Sequence, residues 1–316
     1  MNRPHRTFRI ANASRPAAAL RLLRCRTLAP LLALLALLGH APALRAQEPP
    51  YFVTYSQVLE EPGNLEIAEK SLTAAPKDAN SFLASTLELE YGATAWWTTE
   101  VYLEGQSTSR DSTIFTGYRW ENRVRPIARN LPVNPVLYLE YEAINGATKS
   151  LLEVVGHDGI ADLRPSNAEG RQEVQHELET KLILSSFTHG WNFSENFIAE
   201  KNLAGDPWEF GYALGTSRPL SLVASGSACR FCRQNITAGA ELFGGLGTAE
   251  SFGLRQTSQY AGPTVQLDLQ RGPVFTFSPE FGLNDNSVGV LWRFKVSYEV
   301  QQFRDVFSAM FRKGAR

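Results

Sequence analysis

The chain has 316 residues, 31 basic and 32 acidic, with 43% hydrophobic and 11% aromatic residues. Its charges are unevenly placed: eight arginines and no acidic residue fall in residues 1–46, which leaves 23 basic against 32 acidic residues, a net charge of −9, in the remainder. A remainder this acidic argues against a nucleic-acid partner.

Residues 1–46 read as a secretory signal. A basic stretch (Arg3 to Arg26) is followed by an apolar run from Leu28 to Leu38 and then by the small residues Ala41, Ala43 and Ala46. These are the three parts of an export signal. The apolar run is too short for a transmembrane helix, which needs about 20 residues. Cleavage is expected after Ala46, with Ala41-Pro42-Ala43 as a second candidate. Cys25 precedes the apolar run and is not placed like a lipoprotein's acylated cysteine. The expected division is a signal peptide at 1–46, a barrel at 47–303 and a short basic tail at 304–316.

From residue 64 onward the pattern has a period of two, the mark of strands with one apolar and one polar face. Leu83, Ser85, Leu87, Leu89 and Tyr91 alternate with Ala84, Thr86, Glu88 and Glu90. Trp97, Thr99, Val101 and Leu103 alternate with Thr98, Glu100, Tyr102 and Glu104, and Leu137, Leu139 and Tyr141 with Tyr138, Glu140 and Glu142. Twelve strands are predicted, near 64–73, 81–92, 96–107, 112–124, 135–146, 173–187, 190–203, 207–217, 235–246, 258–270, 272–283 and 287–303. Many are longer than the five or six residues usual in soluble proteins. They match the roughly nine to eleven needed to cross a bilayer at a tilt. The expected fold class is therefore all-β, a closed antiparallel transmembrane β-barrel of about twelve strands, and the competing reading is a soluble β-sandwich. Links 125–134 and 218–234 are long for the side on which the termini would lie. Either they are exceptions to the short-turn rule, or unrecognised strands change the count by two.

Polar faces turned inward would line an acidic lumen with Glu88, Glu90, Glu100, Glu104, Glu121, Glu140, Glu142, Glu177, Glu179, Glu200, Glu209, Glu241, Asp268, Glu280 and Glu299. Arg119, Arg123, Lys181, Arg293 and Lys295 are the basic counterparts. Rings of carboxylates select cations, so a cation-preferring pore for small solutes is expected, without a cofactor or metal. The alternatives are a non-conducting barrel cross-linked by its own basic residues, or a lipid-modifying hydrolase. Strict alternation would put Glu195 on the lipid face, and a bulge near Asn196 would restore its phase. His176 and Ser186 share the lipid face but lie far apart along one strand, and neither a Gly-x-Ser-x-Gly elbow nor His-Glu-x-x-His is present. No catalytic residue is assigned. Cys229 and Cys232 are expected to form a local disulfide in an exported chain. In the tail, Phe303, Val306, Phe307, Met310 and Phe311 recur at helical spacing beside Arg304, Arg312, Lys313 and Arg316, which reads as a basic amphipathic helix at a membrane surface, with a lid against the barrel mouth or a frayed terminus as the alternatives.

The segment Leu291-Trp292-Arg293-Phe294-Lys295-Val296-Ser297-Tyr298-Glu299-Val300 resembles the C-terminal strand of Gram-negative outer-membrane proteins. Leu87-Glu88-Leu89-Glu90-Tyr91-Gly92 and Tyr138-Leu139-Glu140-Tyr141-Glu142 resemble strands of uncharacterised porin-like outer-membrane transporters, with the phenol-degradation barrel group as a candidate relative. The resemblance implies residence in the bacterial outer membrane, contact with its lipid, and recognition of the last strand by the barrel-assembly machinery. It names no solute.

Overall fold

The computed structural model describes residues 48–150, 159–221, 235–269 and 272–307. Twelve strands form in chain order: β1 (Leu65–Ala74), β2 (Phe82–Thr94), β3 (Trp97–Thr108), β4 (Thr113–Val124), β5 (Asn134–Asn145), β6 (Val174–Thr188), β7 (Trp191–Asn202), β8 (Glu209–Pro219), β9 (Ile236–Thr248), β10 (Gln259–Asp268), β11 (Val274–Gly282) and β12 (Val290–Val300). Each pairs antiparallel with its sequence neighbour, and β12 pairs with β1 from Leu65↔Val300 to Thr73↔Trp292, which closes the barrel. Closure satisfies the ladder of every strand and leaves no edge. The count is twelve, so the long links 125–133 and 220–235 are true exceptions at the end that carries the termini. At the same end β6 and β7 are joined by His189-Gly190 alone, both with positive φ (50° and 80°), the geometry that matches a two-residue hairpin to the twist of its strands.

The alternation in sequence becomes inside and outside. Leu87, Leu89, Val101, Leu103, Trp120, Leu137 and Leu139 stand on the outer wall, while Glu88, Glu90, Glu100, Glu104, Glu121 and Glu140 are 0–2% exposed on the inner one. Apolar groups outside and charges inside invert a soluble protein, and this exterior suits hydrocarbon.

The ambiguity at Glu195 is resolved in favour of strict alternation, with no bulge near Asn196. β7 keeps unbroken register with β6 and β8, and Glu195 stands outside, opposite Leu184 and Leu214. The phase is held because the Asn196 amide is needed inside, where it binds the backbone of Tyr55. Register shifts fall instead between Gly92 and Thr94, between Glu104 and Gly105, and between Phe210 and Gly211.

At the opposite end the β5–β6 link carries a short helix, α1 (Asn167–Gly170), with a reciprocal capping box between Ser166 and Glu169. Asn167 is fully buried and ties this link to the β3–β4 turn through Gln106, Thr108, Asp111 and Ser112. Residues 303–307 of the tail are helical, and the Phe303 ring meets Tyr91 of β2 at 6.4 Å and Phe307 at 5.6 Å. Residues 308–316, the signal segment 1–46, and Cys229 and Cys232 lie outside the described residues.

The outer wall yields a direct test. Leu139 sits near the middle of β5, 48% exposed. Leu139→Arg in protein folded into bilayers is expected to cost about 2–4 kcal/mol, read by urea titration. A neutral result would remove Leu139 from the hydrocarbon.

Candidate functional site: the barrel lumen

Register brings together what sequence order keeps apart. Direct cross-strand partners run Glu299↔Glu66, Glu66↔Glu90, Glu90↔Glu100, Glu100↔Glu121, Glu121↔Glu140, Glu140↔Glu179, Glu179↔Glu200 and Glu200↔Glu209. This is an unbroken row of glutamates across β12 and β1–β8. Glu299 lies near the terminus-bearing end of β12, and Glu209 opens β8 at the opposite end. Strands of a closed barrel tilt, so a row at right angles to them climbs the wall. Eight steps of about 4.8 Å give a path of roughly 38 Å.

Like charges directly opposite repel, and basic side chains wedge between them. Arg119 donates to Glu104 at 2.8 Å and to both oxygens of Glu140 at 2.9 and 3.1 Å. Arg123 reaches Glu121 at 2.8 Å and Glu48 at 3.1 Å, and also bonds Glu90. Lys295 bridges Glu66 at 2.8 Å and Glu88 at 3.0 Å, with Lys70 also on Glu88. Lys181 pairs with Glu179 at 2.8 Å, and Arg293 with Glu280 at 2.6 Å. Glu142 is buried on the same inner face, opposite the half-buried Glu177 across β5–β6, and Asp268 is half-buried inside β10. All the residues expected to face the lumen thus lie on the inner wall.

The lumen is not empty. Residues 48–61, which precede β1, run through it as a strap. The Glu241 carboxylate accepts three successive backbone N–H groups, from Phe52 at 2.8 Å, Val53 at 3.0 Å and Thr54 at 2.8 Å. Asn196 locks Tyr55 from both sides, accepting its N–H at 2.6 Å and donating to its carbonyl at 2.9 Å. The Tyr55 hydroxyl lies 3.0 Å from that of Tyr102 and donates to Glu121 at 2.9 Å. Its ring faces Arg123 at 5.0 Å and Lys181 at 4.7 Å, favourable cation–π placements. Tyr51 donates to Asn192 at 2.8 Å. Two glycines make room: a Cβ at Gly215 would lie 2.7 Å from the Tyr51 ring, and one at Gly92 would lie 2.1 Å from the carbonyl oxygen of Glu61.

One side of the interior is apolar, against the expectation of a wholly polar lining. Val53 of the strap packs with Leu72, Phe82, Ala84, Ala213, Phe243, Tyr260 and Leu291, joined by Leu163 of the β5–β6 link. The sequence reading missed the strap, Glu66 and Asn192, and it placed Tyr102 and Tyr138 on the inward face without giving them a role. The spacing Asn192-x-Ser194-x-Asn196 on the inner face of β7 is the one sequence trace of the strap, uncharged amides where neighbouring strands carry carboxylates.

The hydrolase alternative meets an unfavourable geometry. His176 stands outside with Nδ1 2.8 Å from the Tyr141 hydroxyl. Ser186 lies ten residues along the same strand, about 33 Å away.

No family model and no curated relative matches the chain. Among solved structures, an outer-membrane channel from Pseudomonas putida F1 is similar at 10% identity, covering 77% of this chain and 96% of its own, with a TM-score of 0.48. The KdgM porin is similar at 8% identity, with 74% and 98% covered and a TM-score of 0.41. LpxR from Salmonella typhimurium is similar at 9% identity, with 74% and 99% covered and a TM-score of 0.39. These are likenesses of barrel architecture.

Burial pushes the Tyr51 and Tyr55 phenols up. Burial also raises the Glu60 carboxyl from 4.5 to about 8, with repulsion from Glu299, Glu66 and Glu48 adding to it. A carboxyl raised on folding holds more protons in the folded state between its two values, so its stabilisation is full below 4.5 and is lost as pH rises to about 8. Protease cleavage within 48–61 is therefore expected to increase from pH 5 to pH 9, and Glu60→Gln to flatten that rise. Equal cleavage at both pH values would contradict it.

Proposed function

We propose that the protein is a bacterial outer-membrane pore for small solutes, cation-preferring, whose resting lumen is narrowed by its own N-terminal strap. The observation that carries this reading is the continuous row of glutamates from one end of the barrel to the other. A wall of fixed carboxylates concentrates cations and repels anions. Gaps remain between strap and wall. One is lined by Tyr55, Lys70, Thr86, Tyr102 and Arg119, and another by Glu48, Glu88, Glu90, Arg123 and Lys295. The second lies along the row, at Glu90 and Glu100, and the first also touches the apolar side at Phe52, Val53 and Leu72. In this reading the terminus-bearing end is periplasmic, the apolar wall contacts outer-membrane lipid, and the last strand is handed to the barrel-assembly machinery.

A second reading has its own support. The strap is bonded to β4, β7 and β9 and touches β3, and Arg119, Arg123, Lys181 and Lys295 cross-link the carboxylates. A lumen tied together this way also suits a non-conducting barrel.

Planar-bilayer recording separates the two. Full-length protein is expected to give a small conductance, and protein lacking residues 48–61 a conductance several-fold larger. Reversal potentials in a salt gradient are expected to show cation preference, weakening near 1 M salt, where the screening length is about 3 Å. Silence after removal of the strap would establish the non-conducting barrel, and anion preference would overturn the role given to the glutamate row.

A further inference from the structure

Two trios of inner-wall carboxylates hold one oxygen each within 4.8 Å of the others: Glu66, Glu88 and Glu90, and Glu140, Glu142 and Glu179. Their surroundings differ. In the first trio every carboxylate is already met by a cation of the chain. Lys295 sits 2.8 Å from Glu66 and 3.0 Å from Glu88, Lys70 also bonds Glu88, and Arg123 bonds Glu90. The Lys295 ammonium stands where an ion would stand.

Among the described residues the second trio lacks such a filler. Arg119 is held to one side by Glu104 and Glu140 together, and Lys181 pairs with one oxygen of Glu179. Glu142 is 1% exposed, and its Oε2 has no hydrogen-bond partner although no water reaches it. A buried ionised carboxylate left in that state is costly. Glu142 lies in β5 with Glu140, and Glu179 faces them from β6, directly opposite Glu140. The paired strands thus hold the three groups at a fixed separation, and ordering them again on binding costs little entropy. Each ionised carboxylate offers about four acceptor positions, so Glu140 and Glu179 keep acceptor capacity beyond their Arg and Lys partners.

We propose that Glu140, Glu142 and Glu179 form a binding site for a hard divalent cation of the calcium type. The donors are all carboxylate oxygens, with no imidazole or thiolate, which suits Ca²⁺ or Mg²⁺ over zinc or copper. Three ligands on one wall leave the remaining positions to water. Ca²⁺ accepts such irregular shells, whereas Mg²⁺ demands a near-ideal octahedron. The surplus of charge points the same way. Arg119 and Lys181 offset two of the four charges on Glu104, Glu140, Glu142 and Glu179, and Glu177 and Glu200 stand directly opposite Glu142 and Glu179, so the surroundings favour a dication. The inference stands apart from the pore reading, since a barrel that passes no current can still bind the ion.

Calcium titration calorimetry on the full protein in non-ionic detergent tests it without any current measurement. Saturable binding at one site per barrel is expected, with Ca²⁺ preferred over Mg²⁺. Glu142→Gln keeps the shape of the side chain and is expected to weaken Ca²⁺ by about tenfold or more, since affinity follows ligand charge. Glu88→Gln, in the trio filled by lysines, is expected to change it by less than about twofold. Heat-dependent gel migration reports that each variant has folded, and Glu179→Gln supplies the same reading should Glu142→Gln fail to fold. Absence of saturable Ca²⁺ binding to the wild type would overturn the site. So would unchanged affinity in folded Glu142→Gln, or an equal loss in Glu88→Gln.

Discussion

The interior is organised by one constraint: glutamates on nine strands face one another directly across the ladder, and five of them, Glu90, Glu100, Glu121, Glu140 and Glu179, are buried. Cross-strand side chains lie about 5 Å apart, so each pair left alone would repel. The basic groups are accordingly placed between strands rather than on a surface of their own. Arg119 spans Glu104 of β3 and Glu140 of β5 from its own strand β4, and Lys295 of β12 reaches Glu66 of β1 and Glu88 of β2. Each of these contacts braces a seam of the barrel. The cations are in turn held by aromatic faces: Arg119 over Tyr102 at 4.1 Å, and Lys181 over Tyr138 at 4.2 Å. A guanidinium or ammonium in so confined a space loses hydration, and the ring supplies part of the replacement.

The strap depends on the same chemistry. An extended segment inside a barrel has no ladder to join, and its backbone groups would go unsatisfied. Carboxylates and amides of the wall satisfy them instead, Glu241 taking three N–H groups and Asn196 one N–H and one C=O. The strap also sorts the lumen. Val53 packs on the apolar side with Phe243, Tyr260 and Leu291, while the Tyr55 hydroxyl joins Glu121 and Tyr102 on the acidic side. Two residues of spacing carry it from one environment to the other.

Much of this was legible in the sequence. The period of two placed all twelve strands within a few residues, because a wall that is apolar outside and polar inside imposes that period on every strand. The inward glutamates followed from the same rule. Glu66 escaped because β1 carries charge on both faces: Glu66 and Lys70 point in, while Glu69 points out and accepts from Ser71 and Ser85. The row itself was not legible, since it is a property of register, and register is fixed by pairing between strands. The strap was illegible for a related reason. Its partners on the wall lie 47 to 189 residues away in sequence, and nothing local in residues 48–61 marks it as internal. The phase of β7 was ambiguous in the sequence because an unfavourable outward Glu195 was weighed without the benefit that Asn196 gains inside.

Total charge is a poor guide to what such a lumen prefers; the position of the cations along the row matters more. Towards the terminus-bearing end, Lys70, Arg123 and Lys295 sit among Glu66, Glu88 and Glu90 and meet their charge, while Glu48, Glu60 and Glu299 add further carboxylates beside them. Towards the other end the row continues through Glu179, Glu200 and Glu209, with Glu142 and Glu177 beside it. Among the described residues Lys181 is the basic side chain that β6, β7 and β8 turn inward. Fixed charges in a narrow, poorly screened space act over longer range than the same charges in bulk water.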